Sequence, residues 1–248
     1  MSWEPPSTLE ERVKRTLIPA RWELARIVRR EWKKGEPELR LAPHLTDPDR
    51  LALDIGANRG IWTHILSRHA RKVLAFEPNP KMFRILNAAI PANAEAFPIA
   101  LSDREGEAQL EVPQLRGGWS NQHASLNPDR NKGREVRTVA VEMKTLDSLD
   151  LEPVGFIKID VEGHEQAVID GAKALIERDH PSLIMELEER HTGIPIEDSI
   201  AQVEALGYET FFLRQGNLRR IREFNPDREH RERVDQPGYV FNFVFIPR

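Results

Sequence analysis

Residues 51–60 read Leu, Ala, Leu, Asp, Ile, Gly, Ala, Asn, Arg, Gly, and no other stretch limits so tightly what the chain can fold into. Leu51, Leu53 and Ile55 predict a buried strand, and residues 61–69 continue as a helix. Gly56 and Gly60 admit backbone conformations and close approaches that a side chain forbids, and the first NH groups of a helix have no partner within it. Strand, glycine turn and helix in that order make a corner that favours a carboxylate or a phosphate. An ordinary strand-to-helix turn has the same outline, so the rest of the chain has to decide.

A second strand at residues 72–76 ends at Glu77, followed by Pro78, Asn79 as a helix N-cap and Pro80 at the first helical position. Glu77 stands about 20 residues beyond the glycines, where an acidic side chain takes both hydroxyls of a ribose. A third strand, residues 95–101, runs into Ser102 and Asp103. Asp103 either meets the exocyclic amine of an adenine or serves the turn made with Arg104, Glu105 and Gly106. Residues 108–112 and 136–143 alternate as a hairpin around a polar connection at 114–133. That connection holds Gly117, Gly118, Trp119, Ser120, Asn121, His123 and Ser125, a mixture suited to closing over a polar substrate or to a surface excursion.

The fourth strand is apolar through Phe156, Ile157 and Ile159 and then abruptly charged, with Lys158, Asp160, Glu162, His164 and Glu165. Ligands of an open parallel sheet sit outside the carboxyl ends of its strands, so Asp160 faces the cleft beside Asp54. Glu162 and Glu165 also suit the start of the next helix. A fifth strand, residues 182–188, brings Glu186 to the same rim. A helix at 197–206, a strand at 208–213, a polar stretch at 219–236 and a last strand at 239–246 follow, the final two strands pairing antiparallel.

The chain has 248 residues, 40% of them hydrophobic, enough for one large domain at 49–248 preceded by a helical appendage and linker at 1–48. Residues 12–34 interleave Arg12, Lys14, Arg15, Arg21, Arg26, Arg29, Arg30, Lys33 and Lys34 with apolar residues and predict two short helices broken at Pro19. Leu24, Ile27, Val28 and Trp32 share one face, which either lies on an acidic membrane surface or partner or caps the main domain. Residues 35–48 read as a proline-rich linker. The chain contains no cysteine, which removes disulfides, iron–sulfur clusters and thiolate zinc sites. A net charge of −4 gives no general case for nucleic acid. No apolar run is long enough to span a bilayer, and the amino terminus lacks the core of a secretory signal, so cytoplasm is the expectation.

Together, the stretch from Asp54 to Gly60, the run Phe76, Glu77, Pro78, Asn79 and Pro80, and the run Ala100, Leu101, Ser102 and Asp103 resemble successive motifs of the FkbM-type methyltransferases, which use S-adenosylmethionine. Most specific is the stretch from Ile157 to Glu165, with Gly171 and Ala172 beyond it. The resemblance implies a Rossmann-like, doubly wound α/β sheet of seven strands, to which the residue pattern adds an antiparallel last strand, an inserted β-hairpin and N-terminal helices that lie outside the shared core. It implies O-methylation of a sugar, glycan or small polar metabolite.

On that reading Asp54 lies near the cofactor's cationic amino end, Glu77 on the ribose, Asp103 on the adenine, and the NH groups between Gly56 and Gly60 at the methionine carboxylate, with Asn58 supporting the turn. Asp160 and His164 are the candidate bases for an acceptor hydroxyl. Magnesium-binding sugar methyltransferases suggest Asp160 and Glu186 as oxygen ligands to a divalent ion. Lys158 either pairs with a carboxylate or points away from the cleft. Two other functions compete: a nicotinamide-dependent dehydrogenase, for which the G-x-G-x-x-G spacing is missing, and a non-catalytic adaptor that docks through its basic N-terminal helices. Nucleic-acid methylation is disfavoured because Asp160, Val161, Glu162 and Gly163 stand where a base-stacking motif would be needed.

Overall fold

The computed structural model describes residue 3, residues 17–115 and residues 118–248; Arg12, Lys14, Arg15 and Gly117 of the sequence reading lie outside them. The apolar runs become strands β1 (Leu51–Ile55), β2 (Lys72–Phe76), β3 (Ala94–Phe97), β4 (Ile99–Leu101), β5 (Gly106–Leu115) and β6 (Gly118–Trp119). They continue as β7 (Val136–Lys144), β8 (Val154–Ile159), β9 (Ser182–Glu186), β10 (Tyr208–Arg214), β11 (Asn217–Arg220) and β12 (Asn242–Pro247). The main sheet has the order β11-β10-β12-β9-β8-β1-β2-β3. Strands β3, β2, β1, β8 and β9 pair in parallel, while β12 runs antiparallel to both β9 and β10. Strand order reverses between β1 and β8, and an open α/β sheet leaves its crevice at such a point.

The two faces of this sheet have different cargo. Leu53, Ile55, Ile157 and Ile159 point into one apolar cluster, and Ala52, Phe156, Ile184 and Val244 into another on the opposite face. The two-residue period therefore puts Asp54, Lys158, Glu186 and Asn242 on that second face. Register brings Asp54 beside Lys158 and Glu186 beside Asn242. Four polar side chains thus collect along one edge of the sheet, at the carboxyl ends of β1, β8 and β9 and at the amino end of the antiparallel β12.

Two strand expectations change. The main sheet has eight strands rather than seven, because the start of the polar stretch folds back as β11. All four residues of β11 are exposed, so no hydrophobic alternation marks it. The run at 95–101 is two strands, since Pro98 has no NH to donate and the chain leaves β2 there for the smaller sheet β4-β7-β5-β6. The predicted hairpin is the β5 and β7 pair of that sheet.

Helix α1 (Ala20–Lys34) begins directly after Pro19. Its Leu24 and Val28 are 4% and 6% exposed, whereas Trp22 is 74% exposed, so the apolar face lies on the chain's own domain. Arg21, Trp22, Arg26 and Arg29 face outward, so of the described helix α1 it is the outer face that stays open. Trp32, expected on the inner face, is 37% exposed. Residues 35–48 are more than a linker: a 3-10 turn at Pro37–Leu41 and helix α2 (Ala42–Leu45) bury Leu39 and Ala42 beside Trp62 and Phe156. Among the described residues no helix is long and apolar enough to cross a membrane.

Removing Leu24 should leave a cavity under α1. Leu24→Ala is expected to lower the unfolding free energy in urea by about 2–4 kcal/mol, while Trp22→Ala should stay within about 0.5 kcal/mol.

Candidate active site

A cavity of about 490 Å³ lies at the carboxyl ends of β1, β2 and β8, lined among others by Asp54, Gly56, Asn58, Glu77, Asp160 and His164. Ligand pockets typically measure roughly 300–1,000 Å³. Gly56 has φ +79°, and a Cβ there would lie 1.8 Å from the Asp160 carbonyl oxygen. Only glycine lets the turn after β1 touch the backbone after β8. The Asp160 NH donates to the Ile55 carbonyl at 3.0 Å and locks that contact. Gly60, at φ +84°, opens helix α3 (Ile61–Leu66) in the left-handed region.

The NH groups of this turn differ from expectation. Those of Gly56 and Ala57 both donate to the Phe76 carbonyl at 3.0 Å, and that of Gly60 donates to Ala57 at 2.8 Å. The Asn58 NH donates to Glu77 Oε2 at 2.8 Å. These four donors are already used inside the protein, which leaves the Arg59 NH as the one donor of residues 56–60 without an acceptor among the described residues.

Glu77 is almost wholly buried, and its second oxygen accepts from the Asn79 NH at 2.8 Å. Burial pushes its carboxyl up to about 7, against the two NH donors that favour the anion. An ionised carboxylate has about four acceptor directions, so two remain for a pair of vicinal hydroxyls. Asn79 also caps helix α4 (Pro80–Ala89), accepting from the Lys81 NH at 3.0 Å. Asp54 accepts from the Thr63 hydroxyl, and burial raises it to about 6 despite Thr63 and Lys158. Asp103 is not brought into the cavity. It is exposed and accepts from Ser102 Oγ at 3.0 Å, while Ile99, Ala100 and Leu101 line that end.

Lys158 is fully buried, and its Nζ donates to Asn242 Oδ1 at 3.1 Å. The same ammonium lies 4.0 Å from Asp160 Oδ2 and 5.7 Å from the Trp62 ring centroid. Burial alone would depress this lysine; Asp160, Glu36, Glu186 and Glu38 outweigh it and hold the pKa above its ordinary value. Burial likewise lifts Asp160, with Lys158 opposing, and lifts Glu186 well above the usual range. Among the described residues no hydrogen bond reaches the Asp160 carboxylate, and its side chain is 30% exposed. An ammonium thus stands beside Asp160, one of the two carboxylates expected to hold a divalent ion. Donor atoms of Glu186, Glu188 and His191 also converge within 4.8 Å, but Glu188 already takes Arg190 at 2.6 Å and the Tyr239 hydroxyl.

His164 Nε2 lies 2.9 Å from Ser102 Oγ, which itself donates to Asp103. The hydroxyl proton being committed to Asp103, Nε2 must carry the ring proton, which leaves Nδ1 as the basic nitrogen of the neutral ring. Burial holds His164 below its ordinary pKa, so it is neutral at pH 7. Glu165 does serve the helix start, accepting from the Gly163 NH at 2.9 Å at the head of helix α5 (Glu165–Asp170). Glu162 pairs with Arg130 at 2.8 Å.

The polar connection is fastened over the rim. Ser125 Oγ donates to the Glu162 carbonyl at 2.7 Å, and Asn127 Nδ2 to the His191 carbonyl at 3.0 Å. Asn121 accepts from Asn79 at 3.1 Å, and His123, Ala124 and Ser125 line the cavity. Sequence reasoning missed Glu36, Trp62, Arg130 and Asn242. Asn242 had a signal, a polar residue on the inward face of an otherwise apolar strand; the others had none.

A sequence model described as the Methyltransferase FkbM domain matches residues 54–234. The hexuronic acid methyltransferase AglP of Haloferax volcanii is 25% identical over 169 residues, 66% of each chain, so the chain spans just under two thirds of that relative's length. A crystal structure of a methyltransferase FkbM from Methylobacillus flagellatus KT shares the fold with TM-score 0.50 at 14% identity, covering 94% of this chain and 59% of that one.

Burial behind the cavity wall, at Glu38 between the lining residues Glu36 and Leu39, has a consequence for pH. Glu38 is 6% exposed, and burial raises it to about 7. The folded chain therefore keeps a proton that the unfolded chain releases above its ordinary pKa of 4.5, so this group's contribution to stability falls as pH rises to about 7 and stays low above it. Glu38→Gln should be more stable than the parent by about 1–3 kcal/mol at pH 8 and nearly equal to it at pH 4.5 in urea melts.

Proposed function

The chain belongs to the FkbM methyltransferase family, and from that premise we propose that it transfers a methyl group from S-adenosylmethionine to a hydroxyl of a sugar, a glycan or another small polar molecule. The donor set in the cavity suits that cofactor. Glu77 keeps two acceptor directions for the ribose hydroxyls, Ile99 and Leu101 offer an apolar edge for the base, and Asp54 and Asp160 supply negative charge at the far end. When bound, S-adenosylmethionine supplies an electrophilic methyl carbon carried on a sulfonium.

The chain's own part is to align the acceptor, exclude water and take a proton. A hydroxyl is a poor nucleophile near neutral pH, so a base must accept its proton. The observation that carries the reading is the Asp160 carboxylate. The backbone contact with Gly56 fixes it beside the glycine turn, Lys158 holds it from one side at 4.0 Å, and among the described residues no hydrogen bond uses its carboxylate oxygens. Its raised proton affinity favours that role. His164 is the second candidate, with Nδ1 left basic by the Ser102 bridge to Asp103. The polar groups of Asn121, His123 and Ser125 suit an acceptor rich in hydroxyls, and the hexuronic acid named for the Haloferax volcanii relative supports a sugar.

Incubation with labelled S-adenosylmethionine and a panel of sugars and glycans, hexuronic acid glycosides among them, tests this. Asp160→Asn is expected to cut transfer by about 10²–10⁴-fold while calorimetry finds affinity for the uncharged thioether product, S-adenosylhomocysteine, within about threefold of the parent. Transfer that survives the change would remove Asp160 as the base.

A further inference from the structure

The matched region begins at residue 54, yet one wall of the cavity is built before it. Ile27 and Arg30 of α1, with Glu36 and Leu39, line the same space as Asp54 and Asp160. The wall is fixed. Leu24, Val28 and Leu39 are buried in one cluster with Trp62 and Phe156, and α1 ends at Gly35, whose NH donates to the Glu31 carbonyl at 2.8 Å. The chain then turns back and sets Glu36 over α3, where Glu36 Oε2 accepts from Trp62 Nε1 at 3.3 Å. Among the described residues no protein donor reaches its other oxygen. Lys158 Nζ stands over the same Trp62 ring, and Glu36 acts electrostatically on both Lys158 and Asp160.

Charge decides what this end of the cavity accepts. Glu36, Asp54, Asp160 and Glu186 surround a space whose buried cation is Lys158. Glu186 is held toward its neutral form and Arg30 is paired with Glu31 at 2.7 Å, so Glu36, Asp54 and Asp160 are the carboxylates that face Lys158 here and favour an entering cation over an anion.

We infer that residues 20–41 complete the cofactor site, and that Glu36 is one of the carboxylates that make its donor end selective for a positively charged ligand. The inference rests on the methyl-transfer reading. S-adenosylmethionine brings a sulfonium to such a site, and its demethylated product brings a neutral thioether. Glu36 should therefore distinguish the two, which a merely structural residue would not do.

Calorimetry on the full chain tests this with three probes: S-adenosylmethionine, S-adenosylhomocysteine, and sinefungin, whose amine replaces the sulfonium. In Glu36→Gln the amide oxygen can still accept from Trp62, and an unchanged melting temperature confirms the fold. The variant is expected to lose about five- to twentyfold in affinity for both cationic probes and less than about threefold for S-adenosylhomocysteine. Hydrogen exchange on the parent should show amides in residues 20–41 slowed by S-adenosylmethionine. Equal losses for all three probes, or none, would overturn the role of Glu36, and exchange unchanged in 20–41 would overturn the wall. A parent chain that binds none of the probes would overturn the methyl-transfer reading, and this inference with it.

Discussion

The burial of one ammonium group, Lys158 Nζ, sets the terms for the rest of the site. An unpaired charge in a protein interior costs several kcal/mol, and it persists only where hydrogen bonds and opposite charges compensate it. Here the compensation comes from separate parts of the chain: Asn242 from β12, Asp160 from the end of β8, Glu186 from β9, and Glu36 and Glu38 from the segment before β1. The converse also holds. Burial and the nearby Asp160 raise the proton affinity of Glu186, and Lys158 opposes that rise. Strand order, strand register and the N-terminal wall are coupled through that single group.

Much of this was legible in the sequence. Apolar runs ending in charge marked the carboxyl ends of β1, β2 and β8, and the Asn79 and Pro80 pair marked the start of α4. Gly56 was read as a position of close approach, and the neighbour it approaches is the backbone of Asp160. What periodicity could not carry were features without an apolar signature. The exposed strand β11 has none, and the division at Pro98 turns on a missing NH rather than on a pattern. The NH groups of the glycine turn were expected to be open because a helix start leaves them unpaired locally. Gly56, Ala57 and Asn58 find their acceptors in Phe76 and Glu77 at the end of the neighbouring strand, and Gly60 finds Ala57.

The side chains missed share a cause. Glu36, Trp62, Arg130 and Asn242 matter through tertiary contacts, to Trp62, Lys158, Glu162 and Lys158 respectively, and a contact between distant residues leaves no local mark. The N-terminal segment shows the same limit at larger scale. Its basic, proline-bearing composition suggested an appendage and a linker, while its buried Leu24, Val28 and Leu39 tie it to the face of the sheet that carries the polar cluster. Asp103 went the other way, chosen for its place after a strand but turned outward to Ser102.

The family accounts for the fold and for the strand-end motifs, and the side chains outside those motifs carry what is particular to this chain. All of it depends on the cavity accepting a nucleoside with a cationic methyl donor. The most direct measurement is a calorimetric titration of the full chain with S-adenosylmethionine and, separately, with NADH. The expected result is saturable binding of S-adenosylmethionine at one equivalent and no heat of binding with NADH. Binding of NADH with none of S-adenosylmethionine would contradict the account at its base.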